Sequence, residues 1–158
     1  MSNYKTVFFI IGVLQIILGV FMVIPVMIQL SFMELDSSFI LSSVITLVFG
    51  VLFVLSNLDY EKKMNLHQAF LVTSLSWITI AIFGSLPIFF SSLNLSFTDS
   101  FFESMSGLTT TGSTIISNLQ EAPKSILLWR ALLQWLGGIG IIVMAITLMP
   151  IMNIGGML

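Results

Sequence analysis

The sequence predicts an all-α membrane protein: an N-terminal two-helix hairpin followed by one helix–pore loop–helix repeat. Three observations lead there. Of 158 residues, 57% are hydrophobic and 8% charged, with a mean hydropathy of +1.10, whereas soluble domains carry roughly 25% charged residues. Four charge-free runs, Thr6–Met33, Ser37–Leu58, His67–Phe90 and Ala131–Leu158, each match or exceed the roughly 20 residues that cross a bilayer core. Between the last two lies a stretch that is polar without being charged. In residues 104–120, eight of seventeen positions are Ser or Thr, interrupted by Gly107 and Gly112.

The first run is longer than the h-region of a signal peptide and has no small-residue cleavage site after it, so it is read as a membrane span. Gly12 and Gly19, seven apart, share a helix face that a neighbour can approach closely. Pro25 is expected to kink its outer end. After the polar turn Glu34-Leu35-Asp36, Ser37 or Ser38 is the expected N-cap of the second span. Residues 1–58 thus form a transmembrane hairpin, 59–65 a polar loop, and 66–158 the remaining unit. The third span runs from about His67 to Phe90, with Gly84, Ser85 and Pro87 marking a bend or frayed turn near its end. Pro123 suits the first turn of the last span, which Pro150 and Gly155-Gly156 close.

The segment Phe97–Thr114 is the unusual part. Ser96-Phe-Thr-Asp99 matches a capping box, and Phe101, Phe102, Met105 and Leu108 form an apolar stripe, so a short helix over roughly 98–107 is expected to end at or just after Gly107. Beyond it the chain reads Thr-Thr-Thr-Gly-Ser-Thr over residues 109–114. Irregular backbone is tolerated at membrane depth only when buried in protein or lining a water-filled cavity, because its N–H and C=O groups otherwise go unpaired. The segment is therefore read as a re-entrant loop. A cation such as potassium entering a pore exchanges its water shell for fixed oxygens, and backbone carbonyls supply these without net charge. Gly112 allows a backbone conformation that a side chain obstructs, so the carbonyls of Thr110, Thr111, Gly112 and Ser113 can turn toward one axis, with the ion held at Thr110 and Thr111. The C-terminal end of the short helix adds partial negative charge there. An ordinary polar connection is the plainer reading of Thr-Thr-Gly alone.

Other residues carry weaker signals. Glu103 supports the loop helix, either tuning the cation field or satisfying nearby backbone and hydroxyl groups; Gly107 marks that helix's end. Arg130 sits near a membrane boundary, either paired with Glu121 or Glu103 or anchoring at the interface. Gly137, Gly138 and Gly140 serve packing or gating. Trp77, Trp129 and Trp135 are candidate interfacial anchors. Lys5, Lys62 and Lys63 fall on one side and Lys124 and Arg130 on the other, which favours cytoplasmic N- and C-termini by a margin of one charge. That orientation gathers Glu34, Asp36, Asp99, Glu103 and Glu121 in the outer half, a negative field that attracts cations.

Several classes are excluded. Five basic residues make no nucleic-acid footprint. With no Cys and only His67, no zinc site is expected, and no cofactor. No Ser-His-Asp or paired-carboxylate arrangement is visible, so an enzyme is not expected. A non-conducting membrane assembly subunit is the rival reading.

The run Phe101-Phe102-Glu103-Ser104-Met105-Ser106-Gly107-Leu108-Thr109-Thr110-Thr111-Gly112-Ser113-Thr114 closely resembles the first pore repeat of bacterial Trk-type potassium transporters, in the Trk/Ktr/HKT superfamily. Trp129-Arg130 and Gln134-Trp135-Leu136-Gly137-Gly138-Ile139-Gly140-Ile141-Ile142 extend the likeness in order and spacing, and Pro150 with Gly155-Gly156-Met157 continues it. Residues 1–58 look like the two-helix segment that precedes the repeats in that family. The resemblance implies potassium transport across the plasma (inner) membrane, with Thr110, Thr111, Gly112 and Ser113 as filter positions. It also implies a homodimer and a cytosolic nucleotide-binding regulatory subunit. Family members carry four repeats around one pore and this chain carries one. It therefore contributes one quarter of a filter, either as a fragment of a longer subunit that supplies the other three repeats or as one of several assembling copies.

Overall fold

The computed structural model describes residues 4–33, 36–60 and 64–151, with side chains up to residue 146. The expectations placed on Glu34, Lys62, Lys63 and Gly155-Gly156 lie outside the described residues. Among the described residues six helices follow one another: α1 (Lys5–Phe21), α2 (Val23–Ser31), α3 (Ser38–Ser56), α4 (Leu66–Phe89), α5 (Phe97–Leu108) and α6 (Lys124–Ile151). Four stretches of the described residues are long and apolar enough to cross a membrane: Lys5–Ser31, Ser38–Ser56, Leu66–Phe89 and Lys124–Ile146.

The first stretch breaks at Met22, between α1 and α2. Pro25 lies three residues on, where its ring crowds the carbonyl of Phe21 and it has no N–H to offer that oxygen. The expected kink therefore sits one turn before the proline. α1 and α3 run antiparallel with backbones close together. A methyl group at Gly12 would stand 2.9 Å from the Gly50 oxygen and from Phe53 Cβ, and one at Gly19 would stand 2.8 Å from Leu47 Cγ. Ser43 Oγ donates to the Gly19 oxygen at 2.8 Å, so this hydroxyl at the seam is satisfied.

Two helix starts differ from expectation. Ser37 occupies the N-cap position of α3, but its side chain makes no cap bond. Asp36 does that work instead: Oδ1 accepts from Ser38 N at 2.8 Å, and Oδ2 accepts from Ser92 N at 3.3 Å. A carboxylate has two separate oxygens, so it serves the helix with one and the α4–α5 connection with the other. At α4, Asn65 and Gln68 form a reciprocal capping box. Pro87 is accommodated inside the last turn of α4, which continues to Phe89. Pro123 precedes α6 instead of lying in its first turn, and its oxygen accepts from Leu127 N at 3.1 Å.

One core joins the hairpin to the rest: Leu18, Met22, Phe39, Ile88, Ile126, Trp129 and Leu133. Trp129 is fully buried, meets Phe39 edge-on at 5.9 Å and donates its indole N–H to the Gly84 oxygen at 2.8 Å. It is thus no interfacial anchor. Gly84 leaves its carbonyl open to a ring approaching from α6, and the indole can be buried because its single donor finds that acceptor. Trp135 is exposed beside Phe21, and Trp77 is half-buried.

Candidate functional site, the re-entrant loop on α6

α5 begins at Ser96, whose Oγ accepts from Asp99 N at 3.1 Å and donates to Asp99 Oδ2 at 2.7 Å. The return bond goes to the hydroxyl instead of the Ser96 N–H, because Asp is a methylene shorter than the Glu of a full capping box. α5 ends at Leu108 in a Schellman turn: Thr110 N donates to Gly107 O at 2.9 Å and Thr111 N to Ser106 O at 3.0 Å. Gly112 N reaches the same Ser106 oxygen at 3.3 Å. Such turns need a left-handed residue, usually Gly. Here it is Thr110, at φ 59°, followed by Gly112 at φ 76°.

The turn sets the direction of the carbonyls. In a trans peptide the C=O of one residue points opposite to the next residue's N–H. With the N–H groups of Thr110, Thr111 and Gly112 folded back onto α5, the oxygens of Thr109, Thr110 and Thr111 point away from it. Among the described residues, the carbonyls of Thr110, Thr111 and Gly112 accept no hydrogen bond. Ser113 behaves differently. Its oxygen accepts from Ser106 Oγ at 2.7 Å, so it is turned to α5 and anchors the returning strand.

That strand climbs back beside α5. Glu103, with no exposed surface, accepts from Thr114 Oγ1 and Ile115 N through Oε1, both at 2.6 Å, and from Arg130 Nε through Oε2 at 2.8 Å. One carboxylate thus ties loop helix, returning strand and last span. Of the two partners considered for Arg130, the structure selects Glu103; Glu121 is exposed. Arg130 is itself mostly covered, its side chain being 16% exposed.

α6 is the spine on which the loop lies. Residues spaced three and four apart share a helix face, and here that face lies along the loop: Arg130 against Glu103, Leu133 against Gly107, Gln134 against Gly112 and Gly137 against Leu108. A methyl group at Gly137 would overlap the Leu108 carbonyl, one at Gly138 would touch Thr110 Cγ2 at 4.0 Å, and one at Gly140 would meet nothing within 4 Å. The three glycines therefore do different things. Only Gly137 is required for the close approach. Ser106, Thr114 and Gln134 join the site in space; all three lie within the sequence motifs, yet nothing local sets them apart there.

A short helix that enters between two membrane spans and returns as a polar strand defines a pore-loop membrane protein. The family model for the cation transport protein TrkH matches residues 35–158. The chain is 39% identical over 149 residues to the Trk system potassium uptake protein TrkI of Halomonas elongata, covering 94% of this chain and 30% of that one. It is 37% identical over 157 residues to the potassium uptake protein TrkH of Escherichia coli K12, covering 98% and 32%. The crystal structure of the potassium transporter TrkH from Vibrio parahaemolyticus superimposes with a TM-score of 0.92 at 36% identity, over 99% of this chain and 34% of that one. The chain belongs to the TrkH family of cation transport proteins. It spans about a third of the length of these relatives.

Proposed function

We propose that this chain supplies one quarter of a carbonyl-lined selectivity filter for potassium uptake across the plasma membrane. The carbonyls of Thr110, Thr111 and Gly112 face the ion, which sits at Thr110 and Thr111, while Ser113 fixes the returning strand. The observation that carries this reading is a row of three backbone oxygens without hydrogen-bond partners, in a loop whose N–H groups at Thr110, Thr111 and Gly112 are tied to α5. Freed carbonyls at membrane depth are expensive unless water or a cation meets them, and rings of them replace a potassium ion's hydration shell. The names of the relatives, potassium uptake proteins, support the same ion.

In this reading residues 1–58 are the leading hairpin, 59–65 a cytoplasmic loop and 66–158 one repeat of four, with the other three repeats from the rest of a longer subunit. Both ends face the cytoplasm. A second identical subunit and a cytosolic nucleotide-binding regulatory subunit are the partners. Glu103 and Arg130 hold the loop without touching the ion, since both oxygens of the carboxylate are engaged.

The test uses the full-length transporter carrying this segment in a potassium-deficient host. Gly112→Asp puts a side chain at a left-handed position and a charge beside the carbonyls; uptake is expected to be lost with membrane accumulation unchanged. Unaltered uptake overturns the filter assignment.

A further inference from the structure

The left-handed conformation of Gly112 costs glycine little, and for the same reason nothing intrinsic keeps the residue in it. From α5, Ser106 takes its N–H and anchors the next carbonyl; the Gly112 α-carbon is approached from α6. Where a Gly112 side chain would begin, one atom alone lies within 4 Å: the amide nitrogen of Gln134, at 3.3 Å. Gln134 projects from α6 one turn beyond Arg130 and one turn before Gly138, on the face that already meets Glu103 and Leu108. It therefore reaches the loop from a support that is itself fixed to the loop at both ends. The terminal amide of Gln carries two donors and one two-lone-pair acceptor, so it can support a neighbouring peptide without adding charge near the ion.

We propose that Gln134 is a positioning residue for Gly112 and, through it, sets how strongly the pathway prefers potassium to sodium; this rests on the filter reading above. The orientation of the Gly112 peptide fixes the spacing of the Thr111 and Gly112 oxygens. Discrimination between the two ions depends on that spacing or on the number and field of the oxygens presented. With the amide removed, Gly112 relaxes into the space behind it and the oxygens lose the spacing that suits potassium. Potassium then loses more than sodium does.

The experiment measures rubidium uptake and its inhibition by sodium in cells carrying the full-length transporter. Gln134→Ala and Gln134→Met are compared with the parent and with Gly112→Asp. Met keeps the volume while removing the amide, so it carries the test if the Ala variant fails to accumulate in the membrane. The expected result is a sodium-to-potassium preference raised by about fivefold. Gln134→Glu is expected to lower the KM for rubidium, an effect packing alone does not produce. Unchanged preference in both Ala and Met variants, with Gly112→Asp inactive, overturns the role of Gln134 and leaves the filter standing. Full activity of Gly112→Asp overturns both.

Discussion

The hairpin seam and the loop seam are both close contacts between membrane elements, each with a glycine where the backbones approach, Gly137 against the Leu108 carbonyl in the second, and they differ in their use of charge. α1 and α3 meet through missing side chains, Gly12 against Gly50 and Gly19 against Leu47. The hydroxyls nearby return to helical carbonyls: Ser42 to Ser38, Thr46 to Ser42, Ser43 to Gly19. α5, the returning strand and α6 meet through a buried ion pair and a cluster of short bonds to Glu103. The difference comes from the backbone. A regular helix satisfies its own polar groups, so two of them need only matching shapes. A chain that leaves the helix at Leu108 and turns back has N–H groups that no helix satisfies; the Gly107 and Ser106 oxygens take those of the turn, and Glu103 is the acceptor for the Ile115 N–H on the returning strand. Charge is used where the backbone is irregular and omitted where it is not.

The contrast breaks most visibly at the ion pair. Arg130→Met leaves Glu103 buried and unpaired, a loss of about 3–5 kcal/mol for one partner of a buried pair. The purified full-length transporter should melt far lower and take up little rubidium. Adding Glu103→Gln should recover part of that stability, because the uncompensated charge is gone. A melting temperature for Arg130→Met equal to the parent's would mean the pair holds nothing. The hairpin should respond to volume instead. Gly12→Val or Gly50→Val pushes a side chain into backbone at 2.9 Å, an overpacking loss of about 1–3 kcal/mol. Protein that reaches the membrane should keep the parental ion preference. If its sodium-to-potassium ratio shifts as loop variants shift it, the two seams are not independent.

This division is partly legible in the residues themselves. The glycine pair in α1 and the helix–turn at Phe97–Leu108 come from spacing, capping and breaker residues, all local signals. The fold class comes from composition and four apolar runs. What sequence leaves open is set by distance in space. Arg130 lies nine residues from Glu121 and 27 from Glu103, yet the ion pair is with Glu103, because α5 and α6 lie side by side and run the same way. Gly137, Gly138 and Gly140 look alike in a sequence, and only Gly137 faces the Leu108 carbonyl. Trp129 has the composition of an anchor because nothing local reveals that Gly84 offers it an acceptor. The capping box at Asn65 and Gln68 is a local signal too, but hydropathy alone, which places the third span, does not register it.

The smallest expected effect is the sharpest probe of the loop. Thr110 holds a left-handed conformation at φ 59° where a Schellman turn ordinarily has Gly, and a β-branched residue there is a true outlier. The left-handed region costs an L-residue about 1–2 kcal/mol. Thr110→Gly relieves that strain but adds freedom to the unfolded chain, worth about 0.4–1 kcal/mol in the other direction. The net change should be a stabilisation of about 1 kcal/mol or less, read as a slightly higher melting temperature of the full-length transporter. Ion preference should fall at the same time, because the residue at the apex is then free to turn its carbonyl. No shape-matched seam such as Gly12–Gly50 can gain stability from losing a side chain it does not have. A Thr110→Gly protein that melts lower than the parent, with preference intact, would show the threonine to be an ordinary packing residue and the strain to have no part in presenting the oxygens.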